Sequence, residues 1–375
     1  MTDELTLSGE RFTAVYTLTG DTADIPARAA DICIEQTVEF PEDLISREDI
    51  RRQIFGRVRR IDRIDETRHR VEIDFPTEAA SGELTQLMNV LFGNISLKPG
   101  IQLTAVDLPD AMASTFKGPR YGIPGLRRLT GNTARPLVCT ALKPMGLSNR
   151  ALADIAYRFA KGGVDFIKDD HGLTNQSFSP FEDRMRRVSD AVARANDETG
   201  NRCRYVPNIT APAGELLCRA RYAKSAGAGG LLIAPGIVGV DAMRDLADND
   251  DIALPIFSHP ALQGSFTVHP DAGMTPGVLF GTFNRLAGAD AAIFPNFGGR
   301  FSFTKAACRD LAERCTAPVG SCHPVFPVPA GGMSVERVRE MRAFYGDDII
   351  LLIGGDLHRH GDLTDSARRF VATLS

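Results

Sequence analysis

Lysine is scarce in this chain. Of its 43 basic residues only seven are lysines, at positions 98, 117, 143, 161, 168, 224 and 305. Where arginine is the default cation, a lysine at a strand end is there for its chemistry, since an ammonium can lose its proton and a guanidinium cannot. Close cysteine pairs are missing too: Cys33, Cys139, Cys203, Cys218, Cys308, Cys315 and Cys322 are odd in number and scattered. That spacing excludes a zinc finger or ribbon and points to reduced thiols in the cytoplasm. No apolar run approaches the roughly 18 residues of a membrane span, and the opening MTDELTLSGE is acidic where a secretory leader would be basic and then apolar. With a net charge of −4, a nucleic acid is no more an expected partner than a membrane is. The one basic run, RRQIFGRVRRIDR at residues 51–63, reads as a solvated helix face.

What remains is a chain able to bury a large core. Its 375 residues are 43 % hydrophobic and 24 % charged, which excludes a disordered or fibrous protein and fits two domains. Residues 1–124 read as a small α+β domain: RFTAVYTLTG and VEIDFP alternate like strands, whereas ADIPARAADICIEQ and SGELTQLMNVLFG have helical spacing. A Gly/Pro-rich stretch, FKGPRYGIPG, marks the boundary. Beyond it eight strand-like runs begin near residues 136, 164, 205, 230, 254, 290, 318 and 348, with helix-period segments between them. That arithmetic predicts a (β/α)8 barrel over residues 125–375. A doubly wound sheet would want a glycine-rich nucleotide turn after its first strand, and none is present.

A barrel gathers its site at the C-terminal ends of its strands. The polar residues expected there are Lys143; Lys168, Asp169, Asp170 and His171; Asn208 and Thr210; His259; Asn296, Gly298, Gly299 and Arg300; His323, Gly331 and Gly332; and Gly354, Gly355 and Asp356. Strand alternation turns Lys168 and Asp170 the same way and Asp169 the other. With His171 just beyond, a lysine, a carboxylate and an imidazole come within reach of one cation. A neutral lysine carbamylated by CO2 becomes an anionic oxygen ligand suited to Mg2+, and such an ion would stabilise an enediolate. An ordinary salt bridge of Lys168 with Asp169 or Asp170 meets the same spacing. The glycine pairs at 331–332 and 354–355 can offer N–H groups to a phosphate or simply make tight turns. His259 is a candidate acid/base or substrate donor, or a histidine satisfied by backbone. His323 is a weaker candidate; His69, His358 and His360 are assigned to surface or loops, and His269 to a loop.

These motifs resemble a known family. GGVDFIKDDHGL at residues 162–173, preceded by TALKPMGLS and FKGPRYGI, is similar to the RuBisCO superfamily, whose hallmark is a Gly-Gly-x-Asp-Phe-x-Lys-Asp-Asp-Glu strand after a Lys-Pro strand. The resemblance runs from IEQTVEFP at residue 34 to IGGD at 356. It implies an α+β domain before the barrel, and a homodimer whose subunits share each active site. It further implies a carbamylated Lys168 and a metal ligand at Asp170, a proton-handling Lys143, a Glu35 supplied to the opposite subunit, His259 as the strand-five histidine, and phosphate held at Gly331, Gly332, Gly354 and Gly355.

The departures narrow the expectation. Met145 and Gly146 stand where a second lysine belongs, Pro260 where an arginine would hold a second phosphate, an apolar residue near Ile293 for the strand-six histidine, and Arg300 for the mobile-loop lysine. A RuBisCO-like protein of form IV is expected, one that does not fix CO2 and whose substrate carries one phosphate. His171 replaces the third carboxylate. It favours Mn2+ or another transition metal over Mg2+, or leaves the metal shell as an acid/base, or marks a site without a tightly held metal. The favoured expectation is decarboxylation or C–C cleavage of a 3-oxo sugar acid phosphate of the 3-oxo-isoapionate 4-phosphate type, with its lighter machinery. The alternatives are an isomerase or enolase of the 5-methylthioribulose 1-phosphate type and a catalytically silent sugar-phosphate binder.

Overall fold

Alternating burial sets the first sheet. Strands β1 (Arg11–Thr19), β2 (Arg57–Arg63), β3 (Arg68–Pro76) and β4 (Ile101–Asp107) pair antiparallel, with β1 between β3 and β4 and β2 outside β3. Phe12, Ala14, Tyr16 and Leu18 of β1 and Val71, Ile73 and Phe75 of β3 are buried. They share one core with the helices Ile25–Glu35 and Leu84–Phe92, and the Tyr16 hydroxyl donates to the Leu91 carbonyl at 2.7 Å. The computed structural model describes residues 4–359 and 361–374, so the expectation for His360 lies outside the described residues.

Two expectations fail in this sheet. His69 is not on the surface: it is 2 % exposed, because period-two alternation puts residue 69 on the face of 71, 73 and 75, and its Nε2 lies 3.2 Å from the Thr22 hydroxyl. The basic run at 51–63 is not one helix face. The helix Glu48–Gln53 ends before Gly56, where a Cβ would come within 2.9 Å of the Cys33 backbone, and the rest forms the edge strand β2. The arginines are solvated as expected, on a strand with charged side chains that protect its open edge.

The barrel follows. Its strands are β5 (Leu137–Leu142), β6 (Phe166–Asp169), β7 (Arg204–Val206), β8 (Leu231–Ile233) and β9 (Ile256–Ser258), then, after the two-residue β10 (Gly273–Met274), β11 (Ala291–Pro295), β12 (Phe326–Ala330) and β13 (Ile350–Leu352). β10 leaves the ring to pair with β4, so the barrel donates a strand to the first sheet. The other eight run parallel in the order β8-β9-β11-β12 and β13-β5-β6-β7. Backbone bonds such as Leu232 N to Pro207 O at 2.8 Å join β7 to β8. At the second seam, Phe326 N donates to Asp290 O, and Asn296 N to Ala330 O, so residues 326 and 330 face β11. The intervening Pro327 and Pro329 face β13 without an N–H to give it. The sequence places this seventh barrel strand near residue 318, whereas the strand is FPVPA at 326–330.

Side chains from all eight strands fill the interior, among them Cys139, Phe166, Val206, Leu232, Phe257, Ala291, Val328 and Ile350. The helix Gly122–Thr130 adds Ile123 and Leu126 to this cluster. Asp290 clamps that helix. Its Oδ1 accepts from Tyr121 N at 2.6 Å and Gly122 N at 2.7 Å, and its Oδ2 from Ile256 N at 2.8 Å. Burial pushes the carboxyl up to about 6, opposed by the three N–H donors. An Asp290→Asn amide would turn its NH2 toward the Ile256 N–H. We expect a loss of about 1–3 kcal/mol in urea unfolding, the cost of an unsatisfied buried group; unchanged stability would refute the clamp.

Candidate active site

Phe166 of β6 belongs to the barrel interior and Ile167 to the outer core. Lys168 therefore points in and Asp169 points out. Outside the barrel Asp169 meets Arg184, and both side chains are wholly buried. Arg184 Nε lies 3.1 Å from Asp169 Oδ2, Tyr205 donates its hydroxyl to Oδ1 at 2.7 Å, and Asn208 N donates to Oδ2 at 3.0 Å. Arg184 also donates to the carbonyls of Ser179 and Thr174. Asn208 Nδ2 donates to the carbonyls of His171 and Leu173. The loop after β6 is thus tied down from both sides.

Inside, a cavity of about 910 Å³ opens at the strand ends. Its floor continues the interior rows: Ala141 above Cys139, Lys168 above Phe166, His259 above Phe257, Ile293 and Pro295 above Ala291, Ala330 above Val328, and Leu352 and Gly354 above Ile350. Lys143, Asp170, His171, Arg300, Gly331, Gly332 and Gly355 complete most of the expected set around it.

Charge is distributed unevenly within this mouth. Lys143 Nζ sits 2.7 Å from Asp170 Oδ1, and His171 Nδ1 is 3.4 Å from the same oxygen. Burial would raise the Asp170 carboxyl, but hydrogen bonds from His171 and Lys143 outweigh it and hold the group well below the carboxylate range. The ion pair read from the sequence therefore exists with a different lysine. Lys168 bonds instead to the Asp169 carbonyl at 3.0 Å, and its burial lowers the ammonium pKa, favouring the neutral amine. The rings of His171 and His259 stack at 4.6 Å, 9° from parallel. Burial above all pushes His259 well below the usual imidazole value. Its Nδ1 accepts from Ala261 N at 3.2 Å, which leaves the proton of the neutral ring on Nε2. The backbone satisfies one nitrogen and the other remains for a ligand.

The two glycine pairs differ. Gly331 and Gly332 have φ of +79° and +98°, and a Cβ on Gly332 would lie 3.0 Å from Gly299, so the fold itself requires glycine there. At Gly354 and Gly355 a Cβ would meet nothing within 4 Å. Their lack of side chains leaves backbone open to whatever enters the cavity.

Other expected residues fall elsewhere. Asn296 faces outward, one residue past the inward Pro295, with Tyr345 donating to its Oδ1. His323 precedes β12 and lies at the opposite end of the barrel, since the strand starts at Phe326. Thr210 accepts from Ala234 N. Gly298 and Gly299 shape the loop without lining the cavity. His358 lies in a turn, as expected, half-buried with its ring packed edge-on to Phe159. His269 lies in an exposed loop as expected. Glu35 ends its helix beside Asn94 and Lys98 and does not line this chain's cavity. The sequence reading missed Arg359, Ser302, Ser334, Leu262 and Val268, which line it too. Only Arg359, three residues after IGGD, carried a positional signal.

Among the described residues no group of three or more histidine, cysteine, aspartate or glutamate side chains is placed to hold a metal. The donors at the mouth are the Asp170 carboxylate and the His171 imidazole. They fit a divalent ion once Lys168, buried and without a carboxylate partner, contributes a carbamate oxygen. Two oxygens and an imidazole suit Mn2+ better than Mg2+.

Residues 122–367 match the family model of the ribulose bisphosphate carboxylase large chain, catalytic domain. The chain is similar to a 5-methylthioribulose-1-phosphate isomerase of Rhodospirillum rubrum, 41 % identical over 98 % of this chain and 96 % of that one. It is also similar to a 2,3-diketo-5-methylthiopentyl-1-phosphate enolase of Bacillus velezensis, 34 % identical over 92 % and 87 %. The crystal structure of a RuBisCO-like protein from Rhodopseudomonas palustris matches with a TM-score of 0.88 and 40 % identity over 97 % of both chains.

Replacing Arg184 with methionine would leave Asp169 buried and unpaired. We expect about 3–5 kcal/mol of lost stability by urea titration, with Asp169→Asn in the same chain restoring part of it. Equal loss in single and double variants would show that the pairing is not what stabilises the loop.

Proposed function

Because the chain belongs to the RuBisCO large-chain family and to its RuBisCO-like proteins, we propose that it forms an enolate on a ketose monophosphate and reprotonates it on the neighbouring carbon. The substrate is of the 5-methylthioribulose 1-phosphate type, and CO2 is not fixed. The observation that carries this reading is the single cavity that Lys143, Lys168, Asp170 and His259 line together with the open backbone of Gly354 and Gly355. The two named relatives favour isomerase or enolase chemistry over the 3-oxo acid reaction preferred on the sequence, since their names carry the former.

The residues divide the work by protonation state. Gly354, Gly355, Arg300 and Arg359 hold the phosphate, and Gly331 and Gly332 shape the rim beside it. His259, kept neutral by burial with its proton on Nε2, donates to the ketone oxygen and supports the enolate as charge develops there. Lys143 moves the proton between the two carbons, removing it from one and returning it to the other. Asp170, His171 and a carbamylated Lys168 would hold a divalent ion, which would supply positive charge for the enediolate oxygens. Glu35 is assigned to the mouth of a second copy of the chain in a homodimer.

Proton NMR in D2O with 5-methylthioribulose 1-phosphate, Mn2+ or Mg2+ and bicarbonate tests the reading. Deuterium should enter at a carbon beside the carbonyl as the ketose isomerises, and Lys143→Met should slow this by about 10²–10⁴-fold. No exchange, together with CO2 release from 3-oxo-isoapionate 4-phosphate, would return the assignment to a decarboxylase. Carbamylation has its own readout: 13C-bicarbonate should give a carbamate signal that Lys168→Arg abolishes. Gly355→Glu should leave stability within about 0.5 kcal/mol and weaken phosphate-bearing ligands at least tenfold; unchanged affinity would remove the phosphate from that loop.

A further inference from the structure

We propose that Leu262 recognises an apolar substituent at the end of the substrate remote from its phosphate, an inference that rests on the ketose monophosphate reading above. Four non-glycine residues among those described have positive φ: Glu39, Ser81, Ala253 and Leu262. Leu262 is the one of these that lines the cavity. Its φ is +66°, at the third position of a turn closed by Gln263 N donating to Pro260 O at 3.1 Å, where glycine or asparagine is the unstrained choice. Its side chain is 60 % exposed. A leucine held at positive φ on the cavity wall points to a role beyond the fold.

The turn is built to hold that side chain still. On one side Ala261 N donates to His259 Nδ1 at 3.2 Å. On the other, buried Gln263 donates its amide to Asn284 Oδ1 at 3.1 Å. Beneath it, a Cβ on Gly236 would strike Ala261 O at 2.6 Å. Val268, also exposed, extends the same apolar wall. The phosphate rim at Gly354, Gly355 and Arg359 lies three strands round the ring, after β13, with Arg300 on the loop after β11 between it and Leu262. Pro260 stands beside the apolar wall and brings no charge to it. A short alkyl or thioether group would cover Leu262 and Val268 and recover the hydrophobic free energy that their exposure forfeits.

The test uses two alcohols that have no ketone to enolise, 5-methylthioribitol 1-phosphate and 5-deoxyribitol 1-phosphate, titrated calorimetrically into the intact protein. The methylthio compound should bind about tenfold more tightly, the preference that one small apolar group confers. Leu262→Gly should reduce this to within about twofold while raising Tm by about 1–2 °C, because the turn is relieved. Leu262→Asn, which tolerates the same φ, should also lose the preference. An unchanged preference in both variants overturns the proposal, and so does a wild type that binds the two alcohols equally. A change in sedimentation with the preference intact would make Leu262 a subunit contact instead and likewise overturn it. If neither alcohol binds, the ketose monophosphate reading fails and takes this inference with it.

Discussion

The carboxylate of Asp169 and the guanidinium of Arg184 meet out of reach of water, and the active-site mouth depends on that pairing. Burying two charges costs more than their attraction returns unless the remaining hydrogen-bonding positions are filled. Here they are: Tyr205 and Asn208 N serve the carboxylate, while Ser179 and Thr174 take the guanidinium protons. The pair fixes which side of β6 is outside. A one-residue slip of that strand would bring Asp169 into the cavity and turn Lys168 into the outer core. An uncompensated aspartate and a buried ammonium among apolar side chains make that slip prohibitive.

Much of this was legible in the sequence because period two was sufficient to read it. Seven barrel strands, the inward turn of Lys168 and Asp170, and the convergence of Lys143, His171, His259, Arg300 and the glycine pairs follow from alternation and from the rule that barrels work at their C-terminal rims. The failures have separate physical causes. The seventh strand begins eight residues later than its apolar run suggested, in a segment where Pro327 and Pro329 interrupt the strand pattern and turn their missing N–H groups away from β11. His69 and Asn296 were misplaced for want of register: one residue decides between core and surface, and a polar side chain does not announce the buried partner it has found. Leu262 and Arg359 belong to turns whose direction is set by long-range anchors such as Gln263 with Asn284, which no local pattern carries.

The glycines show how the same residue type can serve two purposes a few residues apart. Around Gly299, Gly331 and Gly332 the loops after β11 and β12 approach backbone to backbone, and Gly331 and Gly332 also take positive φ, so close approach and conformation both favour glycine. That is architecture. At Gly354 and Gly355 nothing presses on the missing Cβ, so the fold makes no demand and access to the N–H groups accounts for the choice. The sequence alone gave both pairs the same reading.

The scarcity of lysine has its explanation in the same geometry. Cations buried for structure are arginines: Arg184 and Arg285 each hand several N–H groups to carbonyl oxygens that a single ammonium could not reach together. Five of the seven lysines pair near the surface, Lys98 with Asp31, Lys117 with the Asp248 carbonyl, Lys161 with Glu198, Lys224 with the Asp251 carbonyl and Lys305 with Glu340. The two left, Lys143 and Lys168, line the cavity. Arginine at 168 would keep its charge against any degree of burial and could neither become a neutral amine nor take up CO2. Where the chain needs a cation it uses arginine, and where it needs a nitrogen that can give up its proton it uses lysine.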